Sequence, residues 1–240
     1  MIIMEEVKVP WTINMNNVDS SKMLENNNLN LNVPMFTNYF NPESINLFAD
    51  GSLKDKSTLG GIGFCVAQLG ADMKINATVS NVSFVEGDGT TCTVELMAIL
   101  YGLISVNDSG IGNVNLNIFT DSFSGINMIR GALSQVESMM AKATPIGKIT
   151  KFIERDKHLN PIAKMICHER LNSNFTNVRV YHIKAHCRDT LETITTFSRL
   201  NYGIPLTVYD AIQLTGYQTV VDKIVSNAMR AGDTLYTSRY

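Results

Sequence analysis

Two stretches of this chain share one pattern. "INLFADGS" (Ile45–Ser52) and "NLNIFTDS" (Asn115–Ser122) each read as a strand, then an aspartate, then small residues. The first reads as a short apolar strand, and the second as a strand alternating Val114, Leu116 and Ile118. If the two strands are parallel neighbours, Asp50 and Asp121 leave the sheet at one carboxyl edge, where open α/β sheets bind ligands. Taken alone, an aspartate before a glycine is a turn residue, because both tolerate tight backbone geometry.

The intervening segments set the fold class. "GGIGFCVAQL" and "MKINATVSNVSF" read as two more strands on short links, so the first three strands predict an antiparallel meander. "TVELMAILYGLISV" repeats apolar residues at helical spacing and predicts a helix opening with Glu95. "SFSGINMIRGALSQV" predicts another, with Ser122 or Ser124 as cap. Residues 137–172 read as one or two helices broken near Pro145 and Pro161. "NVRVYHIKAH" is a last strand, and "YQTVVDKIVSNAMR" an amphipathic helix carrying Asp222. The expectation is an α/β fold: a five-stranded mixed sheet, strands 1–3 antiparallel, flanked by helices.

The expected domain spans 44–230, with a polar, Asn-rich extension at 1–43 that is either disordered or a strap, and a tail at 231–240. No stretch approaches the roughly eighteen apolar residues of a membrane span, and the first residues carry acids where a secretory leader carries positive charge. A soluble, cytoplasmic protein with no membrane partner is therefore expected. The four cysteines form no C-x-x-C pair, which argues against a zinc ribbon or disulfide framework. Net charge is only −2, yet nine of the twenty basic residues lie between Gly147 and Arg188 against three acids. That polarity suits a basic surface beside an acidic pocket.

Glu95 on the first helix and Asp222 on the last can face the same sheet edge as Asp50 and Asp121. Clustered acids repel, and burial raises their free energy further, so a fold gathers them mainly around a cation. Magnesium prefers oxygen ligands and bridges carboxylates to phosphate, and two such ions about 4 Å apart serve phosphodiester cleavage.

Four segments resemble type 1 ribonuclease H. "FADGS" resembles its first-strand motif, "TTCTVELMAI" its first-helix segment, and "IFTDS" its fourth-strand T-D-S. "HIKAH … VVDKI" is similar to its V-K-G-H followed by A-D-x-L-A. The resemblance implies a ribonuclease-H-like fold that cleaves the RNA strand of RNA–DNA hybrids with two Mg²⁺ ions, or Mn²⁺ in their place. It implies metal ligands at Asp50, Glu95, Asp121 and Asp222, and a histidine assisting proton transfer or product departure at His186. Gly51 resembles the glycine that lets substrate backbone approach the first aspartate. Ser52 and Thr91 are expected substrate contacts beside Gly51, and Lys148 and Lys151 are expected ones on the basic segment.

The sequence also departs from the family. Thr91 and Cys92 stand where the family carries asparagines that read RNA 2′-hydroxyls, which bears on hybrid selectivity. His186 and Asp222 are 36 positions apart, against about ten in the family, so 187–217 reads as an insertion. Asp189 and Asp210, inside it, compete with Asp222 as fourth ligand; the helical context favours Asp222. The alternatives to a hybrid ribonuclease are a nuclease of the same fold acting on other structured nucleic acid, such as a Holliday junction resolvase, and a non-catalytic binding or assembly module.

Overall fold

Strand β2 (Ser44–Leu53) is buried along its first eight residues, so it requires neighbours at both edges and layers on both faces. In the computed structural model, which describes residues 14–17, 36–53, 59–85 and 90–237, it has all four. β2 pairs antiparallel with β3 (Leu59–Leu69), which pairs antiparallel with β4 (Ile75–Val85). On its other edge β2 runs parallel to β5 (Asn115–Thr120), and β5 runs parallel to β6 (Asn177–His182). These five strands form the expected ribonuclease-H-like mixed sheet. A short strand β1 (Asn14–Asn17) adds a sixth at the β4 edge, giving the order β1-β4-β3-β2-β5-β6. "NMNN" has no apolar alternation, and a pairing through backbone groups leaves no side-chain pattern to read. Apart from β1 and residues 36–43, the strap expected over 1–43 lies outside the described residues.

The pleat of β2 sends alternate residues into two cores. Ile45, Leu47 and Ala49 meet the first, built with helices α1 (Thr91–Asp108), α2 (Phe123–Ala141), α3 (Ile146–Arg155) and α4 (Pro161–Asn172). Phe48 meets the second, covered by α5 (Thr190–Leu200) and α6 (Val208–Thr237). There the rings form a slab: Phe48 stacks on Phe119 at 5.0 Å and on Tyr217 at 5.1 Å, and Phe119 on Tyr181 at 5.3 Å. Tyr39 and Phe40, ahead of β2, are fully packed into this slab. Pro145 and Asn160 cap α3 and α4, so the helical region breaks at its prolines as expected.

The stretch 187–217 is structural. It supplies α5 and the start of α6, and its Asn201 acts on the sheet: Nδ2 donates to the His182 carbonyl at 2.8 Å, and the His182 N–H donates to Oδ1 at 2.9 Å. Arg130 Nε donates to the Val180 carbonyl at 3.2 Å, and Glu137 Oε1 accepts from the Val178 N–H at 3.1 Å. Three side chains thus occupy the outer edge of β6, where unpaired backbone would otherwise invite another strand.

Candidate metal centre

The register sets the site. Phe48 pairs with Phe119 across the parallel β2–β5 ladder, so Asp50 and Asp121, each two residues further on, come side by side. Asp121 follows the end of β5, whereas Asp50 does not end its strand as expected, because β2 continues to Leu53 and pairs Asp50 with Gly63 of β3. The Ser122 Oγ accepts the Gly125 N–H at 3.1 Å and starts α2 directly behind Asp121. Glu95 arrives from α1, which starts earlier than its apolar periodicity implied. Thr90 caps it through the Thr93 N–H, so Glu95 stands at the start of the second turn. Gly51 permits the approach. A Cβ there would lie 2.6 Å from the carbonyl carbon and oxygen of Val94 and 2.8 Å from the Glu95 nitrogen. In return, the Gly51 N–H donates to Glu95 Oε2 at 3.1 Å. What comes close to Gly51 in the structure is therefore the α1 backbone. Asp50, Glu95 and Asp121 each present a carboxylate oxygen, and these three oxygens all lie within 4.8 Å of one another.

Asp50 and Glu95 are buried and Asp121 half-buried. Burial, and then the charges of its neighbours, pushes each carboxyl above the usual carboxylate range. For Asp50 those neighbours are Asp121 and Asp222; for Glu95, Asp50 and Asp121; for Asp121, Asp222. The Gly51 N–H and the charge of His186 offset this only in part. Three desolvated, mutually repelling hard oxygen donors are a donor set for a divalent cation such as Mg²⁺ or Mn²⁺.

A pH dependence follows. Carboxyls with raised folded pKa values hold more protons folded than unfolded, so their contribution to stability is present at acidic pH and is lost as pH rises through the raised values. With metal chelated, the melting temperature is expected to fall from about pH 5 to about pH 8, and Mg²⁺ is expected to restore it most at the upper end. A flat profile with chelator, or no Mg²⁺ response, would remove the cluster from the account.

The other expected site residues divide into groups. Asp222, on α6, is half-buried and close enough for its charge to raise Asp50 and Asp121. Its Oδ2 lies 3.3 Å from His186 Nε2, and the His186 side chain is 70% exposed. Neither competitor faces the cluster: Asp189 caps α5 through the Glu192 N–H, and Asp210 is buried against Thr207 and Thr37 beside the aromatic slab. Ser52 is half-buried in β2, Thr91 is exposed at the start of α1, and Cys92 beside it packs against the first core. Lys148 and Lys151 are exposed on α3 and, with Arg155, line a depression of about 520 Å³. Cys65 and Cys167 are buried in separate cores.

The sequence reading did not single out the groups that hold the His186 loop. Thr219 Oγ1 donates to the Ala185 carbonyl at 3.0 Å. Glu192 accepts from the Arg188 N–H at 2.8 Å and from Lys184 Nζ at 3.3 Å. No local pattern marks them, because the loop and α6 are distant in sequence.

No protein-family model matches the sequence, and no curated protein matches it. Among solved structures, the chain is similar to ribonuclease H1 from the halophilic archaeon Halobacterium salinarum, at 16% identity and a TM-score of 0.35, over 67% of this chain and 96% of that one. It is similar at the same identity and score to LC11-ribonuclease H1 in complex with an RNA/DNA hybrid, over 66% of this chain and 91% of that one. Likeness at this level carries no argument about chemistry; the fold assignment rests on the strand order and register above.

Proposed function

We propose that this chain is a divalent-metal-dependent endonuclease that hydrolyses the RNA strand of RNA–DNA hybrids by a two-metal-ion route. One observation carries the reading: three carboxylates from three separate elements are packed, desolvated and repelling, at one edge of the sheet. Asp50, Glu95 and Asp121 would hold the metal, and Asp222 would join them from α6. When bound, Mg²⁺ or Mn²⁺ supplies Lewis-acid stabilisation of charge on the phosphodiester and lowers the pKa of a coordinated water. The chain's own residues do the rest. Glu95 is oriented by the Gly51 N–H. His186, exposed with Nε2 3.3 Å from Asp222 Oδ2, is the group that the resemblance gives for assisting proton transfer or product departure. The hybrid as substrate rests on the resemblance of the four motifs quoted above.

A second reading, a nuclease of the same class acting on DNA, is favoured by Thr91 and Cys92, which offer fewer amide contacts to 2′-hydroxyls than asparagines would. Cleavage of hybrid, duplex DNA and a four-way junction, each in Mg²⁺, tests both. Scission of the hybrid RNA strand alone supports the proposal, and preferential junction cleavage replaces it with the second reading.

The basic face of α3 is assigned to substrate binding. Reversing Lys148, Lys151 and Arg155 to glutamate is expected to weaken hybrid affinity, by more at low salt than at high, because phosphate contacts release counterions. Affinity that is unchanged at low salt would remove this surface from the account.

A further inference from the structure

A second polar cleft lies along the outer edge of β6, with a volume of about 330 Å³. Its floor is the β6 edge, one wall is α2, and the other is the turn after α5. Arg130 reaches across it. Nε donates to the Val180 carbonyl at 3.2 Å, one terminal nitrogen to the Leu200 carbonyl at 3.1 Å, and the other to Asn201 Oδ1 at 2.7 Å. All three acceptors are neutral, and a guanidinium carries five N–H groups, so two donors are left over and none of the acceptors neutralises the charge. Arg179, exposed on β6, lines the same cleft. Among the described residues neither arginine forms an ion pair. The carboxylate in the cleft, Glu137, is already engaged by Arg170 and the Val178 N–H.

Tyr202 closes the outer side. Its ring centroid lies 5.1 Å from Arg130 Cζ, while the residue is 82% exposed. Its backbone is left-handed, φ 59°, in the turn where the Gly203 N–H returns to the Ser198 carbonyl at 2.8 Å. That position after a helix normally takes glycine, since a side chain is strained there. A tyrosine therefore bears a conformational cost and gains little burial. What it gains is one ring face on a guanidinium and the other open to solvent.

We propose that this cleft is a nucleotide-unit binding site, separate from the acidic cluster. A phosphate is held by the free N–H groups of Arg130 and by Arg179, and a base stacks on the open face of Tyr202. Guanidinium forks match phosphate geometry, and aromatic stacking accepts any base. The unit belongs either to a free nucleotide or to a single strand passing the sheet edge. The site stands whether or not the acidic cluster cleaves hybrids.

The test is binding to the full chain in chelator, so that no cleavage occurs, with AMP and single-stranded oligouridylate as probes. Arg179→Glu and Tyr202→Ala sit at exposed positions; circular dichroism melts check that both fold. Lys74→Glu, on the distant β3–β4 turn, controls for loss of overall positive charge. The expected result is binding of at least one probe, weakened about tenfold by each cleft variant and unchanged by the control. AMP binding assigns the free nucleotide, and oligouridylate binding alone assigns the strand. No binding of either probe, no effect of the cleft variants, or an equal effect of Lys74→Glu would overturn the proposal.

Discussion

Asp121→Asn, like Asp50→Asn, is expected to abolish metal-dependent cleavage while leaving the fold intact. Loss of an outer-shell partner typically costs about 10–100-fold in metal affinity or activity. Loss of a ligand should exceed that, on the order of 10³-fold. The stability effect runs the other way. Asp121 is pushed up by burial and by Asp222, and it in turn raises Asp50 and Glu95. Neutral asparagine of nearly the same shape relieves that repulsion, so with metal chelated the variant should melt above the parent chain. With Mg²⁺ the order should narrow or reverse, because the variant binds the ion less well. Activity and thermal shift measured together separate a metal site from a structural carboxylate, whose removal would lower activity and stability alike. Full activity in either variant would end the two-metal reading.

Arg170→Met is expected to be the most destabilising single change outside the site. Arg170 is 1% exposed. It grips Glu137 through Nε, donates a second bond to Glu137 Oε2 at 3.1 Å, and donates to Ser173 Oγ at 3.1 Å. Glu137 also accepts the β6 edge N–H of Val178, so one ion pair ties α2, α4 and the edge strand together. Breaking a buried pair by removing one partner costs about 3–5 kcal/mol, a large share of the roughly 5–15 kcal/mol that holds a domain folded. Replacing both partners with apolar residues should recover only part of this, because Val178 would still lack its acceptor. Denaturant unfolding of the single and double variants checks both statements; a single-variant cost below about 1 kcal/mol would show the pair to be marginal.

Much of this was readable along the chain, for a physical reason. Asp50 follows a short apolar run within β2 and Asp121 follows the alternating β5, and parallel pairing of the two strands brings both aspartates to one side of the sheet end. Glu95 lay on a clear helical period, although its place in the second turn depended on the Thr90 cap. Asp222 was harder to read, since only its helical context favours it over Asp189 and Asp210. In the structure Asp189 caps α5, Asp210 is held by Thr207 at the start of α6, and Asp222 lies further along α6, where its charge reaches Asp50 and Asp121. The roles of Asn201, Arg130 and Glu137 were invisible, because each acts on backbone groups of a distant strand, and such bonds impose no spacing on the sequence. Residues Tyr39 and Phe40 were read as part of the extension, yet their rings fill the aromatic slab. Two apolar side chains in a polar stretch show no period, so their burial depended on a partner surface formed far along the chain.

The most direct measurement follows a labelled RNA strand, annealed to DNA, incubated with the full chain in Mg²⁺ and in chelator, beside the Asp50→Asn variant. The account predicts internal scission of the RNA strand in Mg²⁺ only, and none by the variant. An intact RNA strand in both Mg²⁺ and Mn²⁺, or cleavage that survives the chelator or the substitution, would contradict it.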